Sequence, residues 1–366
     1  MNFGIMTAYG EGKALDQNQS PKLGLPPFTN RKASSRKTPR KRLPWPNDKP
    51  FKILSLDGGG IRGIYTACLL QKIESELCNG SKIGDYFDLI AGTSTGGIIA
   101  VGLGFSVPTD KIVDLYLRDG EKIFPPAIFE TSKMWWSKYV HNARKPKYDH
   151  RPLELALVEV FGEKTLSLSK SRLVIPSCML PKSEIAVFKT DHHEDYQRDH
   201  RMAAWEVCRA TSAAPTYFAG HERNGRMFVD GGLWANNPIM VAATEALSCF
   251  EIEPSQIQVL SIGTGNRPLD MTLNEARGGW FQWRYALTGA MHLSTDNSTS
   301  QVRLFIGDQN VTRIEPEHQI ADIEMDDWIE AKKHLPDAAE ISFSEMRFAI
   351  ITYFASKVET RNRYYS

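Results

Sequence analysis

The chain is poor in the features that would announce a secreted, membrane-spanning or nucleic-acid-binding protein. It has five cysteines in 366 residues (Cys68, Cys78, Cys178, Cys208 and Cys249), odd in number and with no C-x-x-C pair. That spacing supplies neither a disulfide framework nor a paired-cysteine metal site, and it suits small buried thiols kept reduced in a cytosol. No basic n-region followed by an apolar run opens the chain at Met1-Asn2-Phe3-Gly4-Ile5-Met6, so a secretory leader is not expected. The one long uncharged stretch, Asp88 to Asp110, carries several glycines, the hydroxyl run Thr93–Thr95, and Pro108. It reads better as strand, turn and buried helix than as a membrane span. Charge of one sign is lacking too: 44 Lys and Arg against 43 Asp and Glu leave a net +1, which offers no field for nucleic acid. There is no internal repeat.

What is present is a globular composition, 42% hydrophobic and 24% charged, long enough for one large α/β domain or two modest ones. Residues 1–50 stand apart. They are polar, rich in Pro, Ser, Asn and Lys, and include the basic run Arg31 to Arg42. Such a segment cannot bury enough surface to order itself. It is expected to be a disordered arm, either solvated or acting as an electrostatic tether to anionic lipid or nucleic acid.

The fold is expected from residue 51 to 366. Phe51–Asp57 reads as a buried strand, followed by Gly58-Gly59-Gly60-Ile61-Arg62-Gly63 and an amphipathic helix over 65–77. A second strand, 86–91, leads into Gly92-Thr93-Ser94-Thr95-Gly96-Gly97 and another helix. Two strands that each end in a glycine turn opening a helix are a parallel-sheet signature. Further strands are expected at 171–179, 185–189, 227–229 and 257–262. Further helices are expected at 111–117, 151–161, 202–213, 239–247, 325–334 and 342–357. Two aromatic insertions interrupt this pattern, one with Trp135, Trp136 and Tyr139, the other with Trp283, Arg284 and Tyr285.

Three strand ends carry chemistry. Gly92-x-Ser94-x-Gly96 has the spacing of a nucleophile elbow, a sharp strand-to-helix turn that aims a serine out of a sheet. Alone it is weak, since a chain of this length meets the pattern by chance about once in seven. Gly58-x-Gly60-x-x-Gly63 fits a dinucleotide fingerprint, but the acid-tipped strand that should follow is missing, because Glu74 and Glu76 fall inside the first helix. The alternative is an oxyanion hole, in which consecutive glycines let backbone N–H groups converge, with Arg62 adding charge. The serine needs a base. The histidines are unpromising. None sits in a strand-end glycine turn, and most lie in charged stretches such as Asp191-His192-His193-Glu194-Asp195, expected at the solvated surface. Asp230, ending a short apolar strand and followed by Gly231 and Gly232, suits the need better.

These residues match a family pattern. Ser55-Leu56-Asp57-Gly58-Gly59-Gly60-Ile61-Arg62-Gly63, Gly92–Gly97 and Asp230-Gly231-Gly232 resemble the three signatures of patatin-like phospholipases. Ala210–Phe218 and Leu260–Gly265 also look like family segments. The resemblance implies a three-layer α/β fold with a central, mostly parallel sheet flanked by helices. It implies Ser94 as nucleophile and Asp230 as base in a dyad. It implies an oxyanion hole from Gly58, Gly59 and Gly60, with which Arg62 and Thr95 are counted, and turn positions at Gly92, Gly96, Gly231 and Gly232. The reaction implied is hydrolysis of acyl esters in membrane glycerophospholipids through an acyl-enzyme, with no metal and no cofactor. The overall length and the wording of the first glycine loop resemble bacterial effectors of CBASS-type anti-phage systems, which a cyclic dinucleotide switches on. The corresponding expectation is a cytoplasmic enzyme acting at the inner face of the membrane, without nucleic acid, its homo-oligomeric state open. No motif marks a nucleotide site; Trp135, Trp136, Tyr139 and Arg144, or Trp283, Arg284 and Tyr285, are candidates by chemistry. Two other readings stand beside this one: a constitutive lipase without nucleotide control, and a non-enzymatic module that binds through its basic arm.

Overall fold

A computed structural model describes residues 40–126, 146–265 and 286–365. Both aromatic insertions, and with them Trp135, Trp136, Tyr139, Arg144, Trp283, Arg284 and Tyr285, lie outside the described residues.

Eight strands form one sheet. They are β1 (Phe51–Leu56), β2 (Leu89–Gly92), β3 (Arg172–Leu180), β4 (Glu184–Lys189), β5 (His221–Arg223), β6 (Arg226–Asp230), β7 (Ile257–Ile262) and β8 (Val311–Ile314). Their order is β5-β6-β3-β2-β1-β7-β8, with β4 paired to β3. The pairs β1–β2, β1–β7, β2–β3 and β7–β8 are parallel; those of β3 with β4 and β6, and of β5 with β6, are antiparallel.

The central strands are apolar on both sides, and their alternation sorts the core into two layers. Phe51, Ile53, Leu89, Ala91, Val174 and Val259 face one layer. Leu54, Leu56, Ile90, Leu173, Ile175 and Leu260 face the other. The principal helices are α1 (Gly63–Leu77), α2 (Thr95–Gly104), α3 (Thr109–Leu117), α4 (Arg151–Phe161), α5 (Ala204–Thr211), α6 (Ile239–Cys249), α7 (Ala286–Ile306) and α8 (Trp328–Ile350). α6 and α7 cover the first face, through residues such as Ile239, Ala242, Val302 and Ile306. The remaining six cover the second. The arrangement is the expected three-layer α/β fold.

The chain departs from the expected elements in three places. First, the expected disordered arm is too long by about a strand's length. Arg40–Pro50 packs on the domain: Leu43 exchanges backbone hydrogen bonds with Cys249 and Glu251, and Trp45 stacks near Phe51 and Phe250, with centroids 4.8 and 5.5 Å away. One tryptophan and one leucine are enough to anchor a segment whose composition is otherwise polar. Second, the two C-terminal helices expected on either side of Pro336 are a single helix, α8. It buries Ala331, Leu335, Ala339, Ser342, Phe343 and Ile350 along one stripe, and that burial carries it through the proline. Third, α7 has no counterpart among the expected helices. Its Ser294–Ser300 run has poor intrinsic helix propensity, and the helix forms by seating Thr295, Val302 and Ile306 inward.

β1 is the strand from which the chain departs in both directions, to β2 and β3 on one side and to β7 and β8 on the other. Loops leaving the C-terminal ends of strands at such a reversal splay apart and leave a crevice. The glycine loop follows β1 and Ser94 follows β2.

Candidate active site

The register places Ser94 and Asp230 opposite one another. β4 pairs with β3 over Val174–Met179 and takes one edge of that strand. β2 pairs with Val174 and β6 with Ser177, so both lie along the other edge. β2 runs parallel to β3 and β6 antiparallel, so their C-terminal ends point at each other across a gap of about three residues. Ser94 leaves one end and Asp230 terminates the other.

Ser94 sits at φ 55° and ψ −122°, a conformation that costs a residue with a side chain about 1–3 kcal/mol. Three bonds hold it there. The Ser94 N–H donates to Thr211 Oγ1 (3.0 Å), which itself donates to Pro176 O (2.6 Å), and Thr93 Oγ1 donates to Ala235 O (2.6 Å). The flanking glycines are sterically required. A Cβ on Gly92 would run into the Gly96 carbonyl, and one on Gly96 into the carbonyls of Leu56 and Asp57.

Ser94 Oγ donates to Asp230 Oδ2 at 2.6 Å, and the Gly232 N–H donates to Asp230 Oδ1 at 2.7 Å. Ser94 is 8% exposed and Asp230 5%. Burial pushes the Asp230 pKa up to about 6, while the bonds from Ser94 and Gly232 pull the other way. Gly231 is packed against the Pro176 carbonyl, which leaves no space for a side chain.

The glycine loop is tied down from two sides. The Gly58 N–H donates to Asn236 O (3.0 Å) and the Ile61 N–H to Met325 O (2.8 Å); Thr264 Oγ1 donates to Gly58 O (2.7 Å). No described residue accepts from the N–H of Gly59 or Gly60. Ahead of the loop, Asp57 is clamped by both guanidinium nitrogens of Arg313, at 2.9 and 2.6 Å.

This corrects two of the expected oxyanion donors. The Gly58 N–H is already spent on Asn236. The Arg62 side chain turns away: its guanidinium donates to Gly265 O at 2.7 Å and does not line the cavity, so it braces the turn after β7. Thr95 opens α2, where the helix dipole favours negative charge. Its hydroxyl is engaged with Tyr116 OH (2.7 Å), which donates in turn to Thr95 O (3.1 Å).

Ser94 and Asp230 border a cavity of about 900 Å³, its open mouth included. The walls are largely apolar, among them Ile98, Leu115, Phe124, Leu153, Phe218 and Met325, and Gly59, Gly60, Thr95 and Asn236 also line it. A serine, a carboxylate and backbone donors lining an apolar space can hydrolyse an ester with a hydrocarbon chain.

No described histidine lines this cavity. The Asp191–Asp195 stretch is, however, not the solvated surface expected of it. His192 and His193 are each 1% exposed. Asp191 pairs with Arg361 at 2.6 Å, and His192 Nε2 meets Glu245 Oε1 at 3.1 Å. Burial pushes the His192 pKa down to about 4. Lys189, Tyr196 and Arg40 complete that buried network, which is why its charge did not force it outward. Residues that the sequence left without a role at the site are Thr211, Asn236, Thr264 and Tyr116. Thr211 stands in a quoted family segment; Asn236 follows the Asp-Gly-Gly turn, a position that could have drawn attention.

Comparison with known proteins identifies the family. The patatin-like phospholipase family matches residues 54–243. Among curated relatives, a "cGAMP-activated phospholipase" of Vibrio cholerae is 38% identical over 58% of this chain and 64% of its own length. One of Pseudomonas aeruginosa with the same name is 34% identical, over 63% and 70% respectively. "Patatin-like protein 2" of Arabidopsis thaliana is 33% identical over 69% of this chain and 68% of its own. The chain thus spans just under two thirds of the Vibrio relative's length. No described helix is long and apolar enough to cross a membrane.

Proposed function

Because the chain belongs to the patatin-like phospholipase family, we propose that it is a lipid acyl hydrolase working by a Ser94–Asp230 dyad. The observation that carries the reading is the 2.6 Å bond from Ser94 Oγ to Asp230 Oδ2 in the wall of an apolar cavity. Asp230 takes the Ser94 proton as Oγ attacks the ester carbonyl, and returns it to the departing lysolipid oxygen. The N–H groups of Gly59, Gly60 and Thr95 are the donors for the oxyanion. Water then attacks the acyl-Ser94 ester, Asp230 takes its proton, and the fatty acid leaves as Ser94 is reprotonated. The walls around Leu153 and Phe218 suit the hydrocarbon chain of a membrane glycerophospholipid.

Ser94→Ala and Asp230→Asn are each expected to lower fatty acid release from phospholipid vesicles by at least about 1,000-fold while circular dichroism stays unchanged. Near-normal release by either variant would overturn the dyad.

The names of the bacterial relatives support a second element of the proposal, activation by a cyclic dinucleotide. Its test is fatty acid release with and without a panel of cyclic dinucleotides. Stimulation of tenfold or more by one of them is expected. Equal rates throughout would leave a constitutive lipase without nucleotide control.

A further inference from the structure

Asn236 is buried to within 3% of its surface and lines the catalytic cavity, yet its Oδ1 has no hydrogen-bond partner among the described residues. Leaving a buried acceptor unmet is costly, and such a group calls for a function. Its backbone already has one, since Asn236 O accepts the Gly58 N–H. The side chain does not share it.

The surroundings say what the side chain faces. A Cβ built on Gly232 would lie 3.1 Å from Asp230 Oδ1, 3.2 Å from Met291 Cε and 3.4 Å from Asn236 Oδ1. The two oxygens therefore flank one small niche above the Gly232 Cα, and they are no more than about 6.5 Å apart by these distances. A water donating two hydrogen bonds of about 2.8 Å bridges oxygens about 4.5 Å apart, a separation within that bound. The Met291 methyl lies on a third side of it. Gly232, Asp230, Asn236 and Met291 all line the cavity, so the space beside the two oxygens opens into it. Both flanking oxygens accept, and water has two protons to give.

We propose that Asn236 Oδ1 and the Asp230 carboxylate hold the hydrolytic water of the second half-reaction in this niche. The proposal rests on the acyl-enzyme reading above. One water proton goes to Asp230 and the other stays bonded to Asn236. The water oxygen forms its bond to the acyl carbon, the C–O bond to Ser94 breaks, and the proton held by Asp230 passes to Ser94 Oγ. Acylation uses no water and leaves Asn236 idle. Asn236 is thus specific to deacylation, and the glycine at 232 keeps the niche open.

The test separates the two halves. A chromogenic short-chain ester such as p-nitrophenyl butyrate is mixed rapidly with the full chain, and p-nitrophenolate is followed from the first turnover onward. Asn236→Ala removes the acceptor. In this variant the first-turnover rate is expected within about threefold of the parent, while steady turnover falls tenfold or more. A butyryl adduct then accumulates on Ser94 by mass spectrometry. Hydroxylamine, which attacks the ester without a base to deprotonate it, restores turnover. A parallel fall of both phases, without an adduct, would show that Asn236 merely supports the glycine loop and would overturn the proposal. Failure of the underlying reading looks different: no adduct forms on the parent enzyme even when quenched during the first turnover, and Ser94→Ala keeps its activity.

Discussion

In the proposed mechanism Asp230 acts as a carboxylate, and burial makes that form costly. Its pKa of about 6 in the fold has two consequences of opposite sign. For activity, kcat/KM on an uncharged ester should rise with pH through about 6 and then level, a profile read directly from initial rates. For stability, the folded chain binds the Asp230 proton more tightly than the unfolded chain does. The fold is therefore favoured while the group is protonated, and it loses stability as pH rises from the unfolded value of 3.8 to about 6. The loss is roughly 3 kcal/mol at one decade per 1.36 kcal/mol. Asp230→Asn removes it. The variant should melt above the parent at pH 8, and the two should converge near pH 4, by thermal denaturation. A variant that is at once more stable and inactive marks a residue kept for chemistry.

Thr211 belongs to the same scale. Its hydroxyl joins the Ser94 N–H to Pro176 O, so the strained elbow leans on α5 and β3. Thr211→Val keeps the shape and removes both bonds. A fall in kcat of roughly 10- to 100-fold is expected, with KM little changed, since the loss is in positioning the nucleophile.

Among the elements, α8 is the one in which local preference and packing disagree most. Pro336 lies inside it, lacks the N–H that would complete the helix ladder, and crowds the preceding turn. The apolar stripe from Ala331 to Ile350 outweighs that cost by docking on α1 and the second core layer. Pro336→Ala should then stabilise the chain by about 1–3 kcal/mol, raising Tm by a few degrees in calorimetry. The meeting of β2 and β6 along one edge of β3 shows the opposite case. Each is short and needs the long neighbour to place it, and together they bring residues 136 positions apart into hydrogen-bond contact.

For the whole molecule, the described chain begins to pack at Arg40, whose guanidinium donates to Tyr196 OH at 2.6 Å and Asp195 Oδ2 at 3.1 Å. A chain starting at Arg40 retains those bonds and the Trp45 contacts. A chain starting at Phe51 uncovers Phe250 and leaves the Glu245 network without one of its cations. The longer version should melt several degrees above the shorter one. If the two melt together, the Arg40–Pro50 segment contributes nothing to stability.

Much of this protein was legible in its residues. The apolar runs at 51–56, 89–92 and 257–262 are buried on both sides, and that pattern alone demands a covered parallel sheet. Gly92, Gly96 and Gly231 mark strand ends where the backbone comes so close to other carbonyls that a Cβ has no place. Short-range sterics and hydrophobic periodicity are properties of neighbouring residues, so they are written in sequence order. What depends on distant neighbours was decided by the tertiary structure. The fate of each loop N–H was settled there: Gly58 gives its own to Asn236, while Arg62 gives its charge to Gly265. So was the burial of His192, which looks like surface until Glu245 and Lys189 arrive from elsewhere in the chain. So too was the unmet Oδ1 of Asn236, because whether a polar atom has a partner depends on everything folded around it.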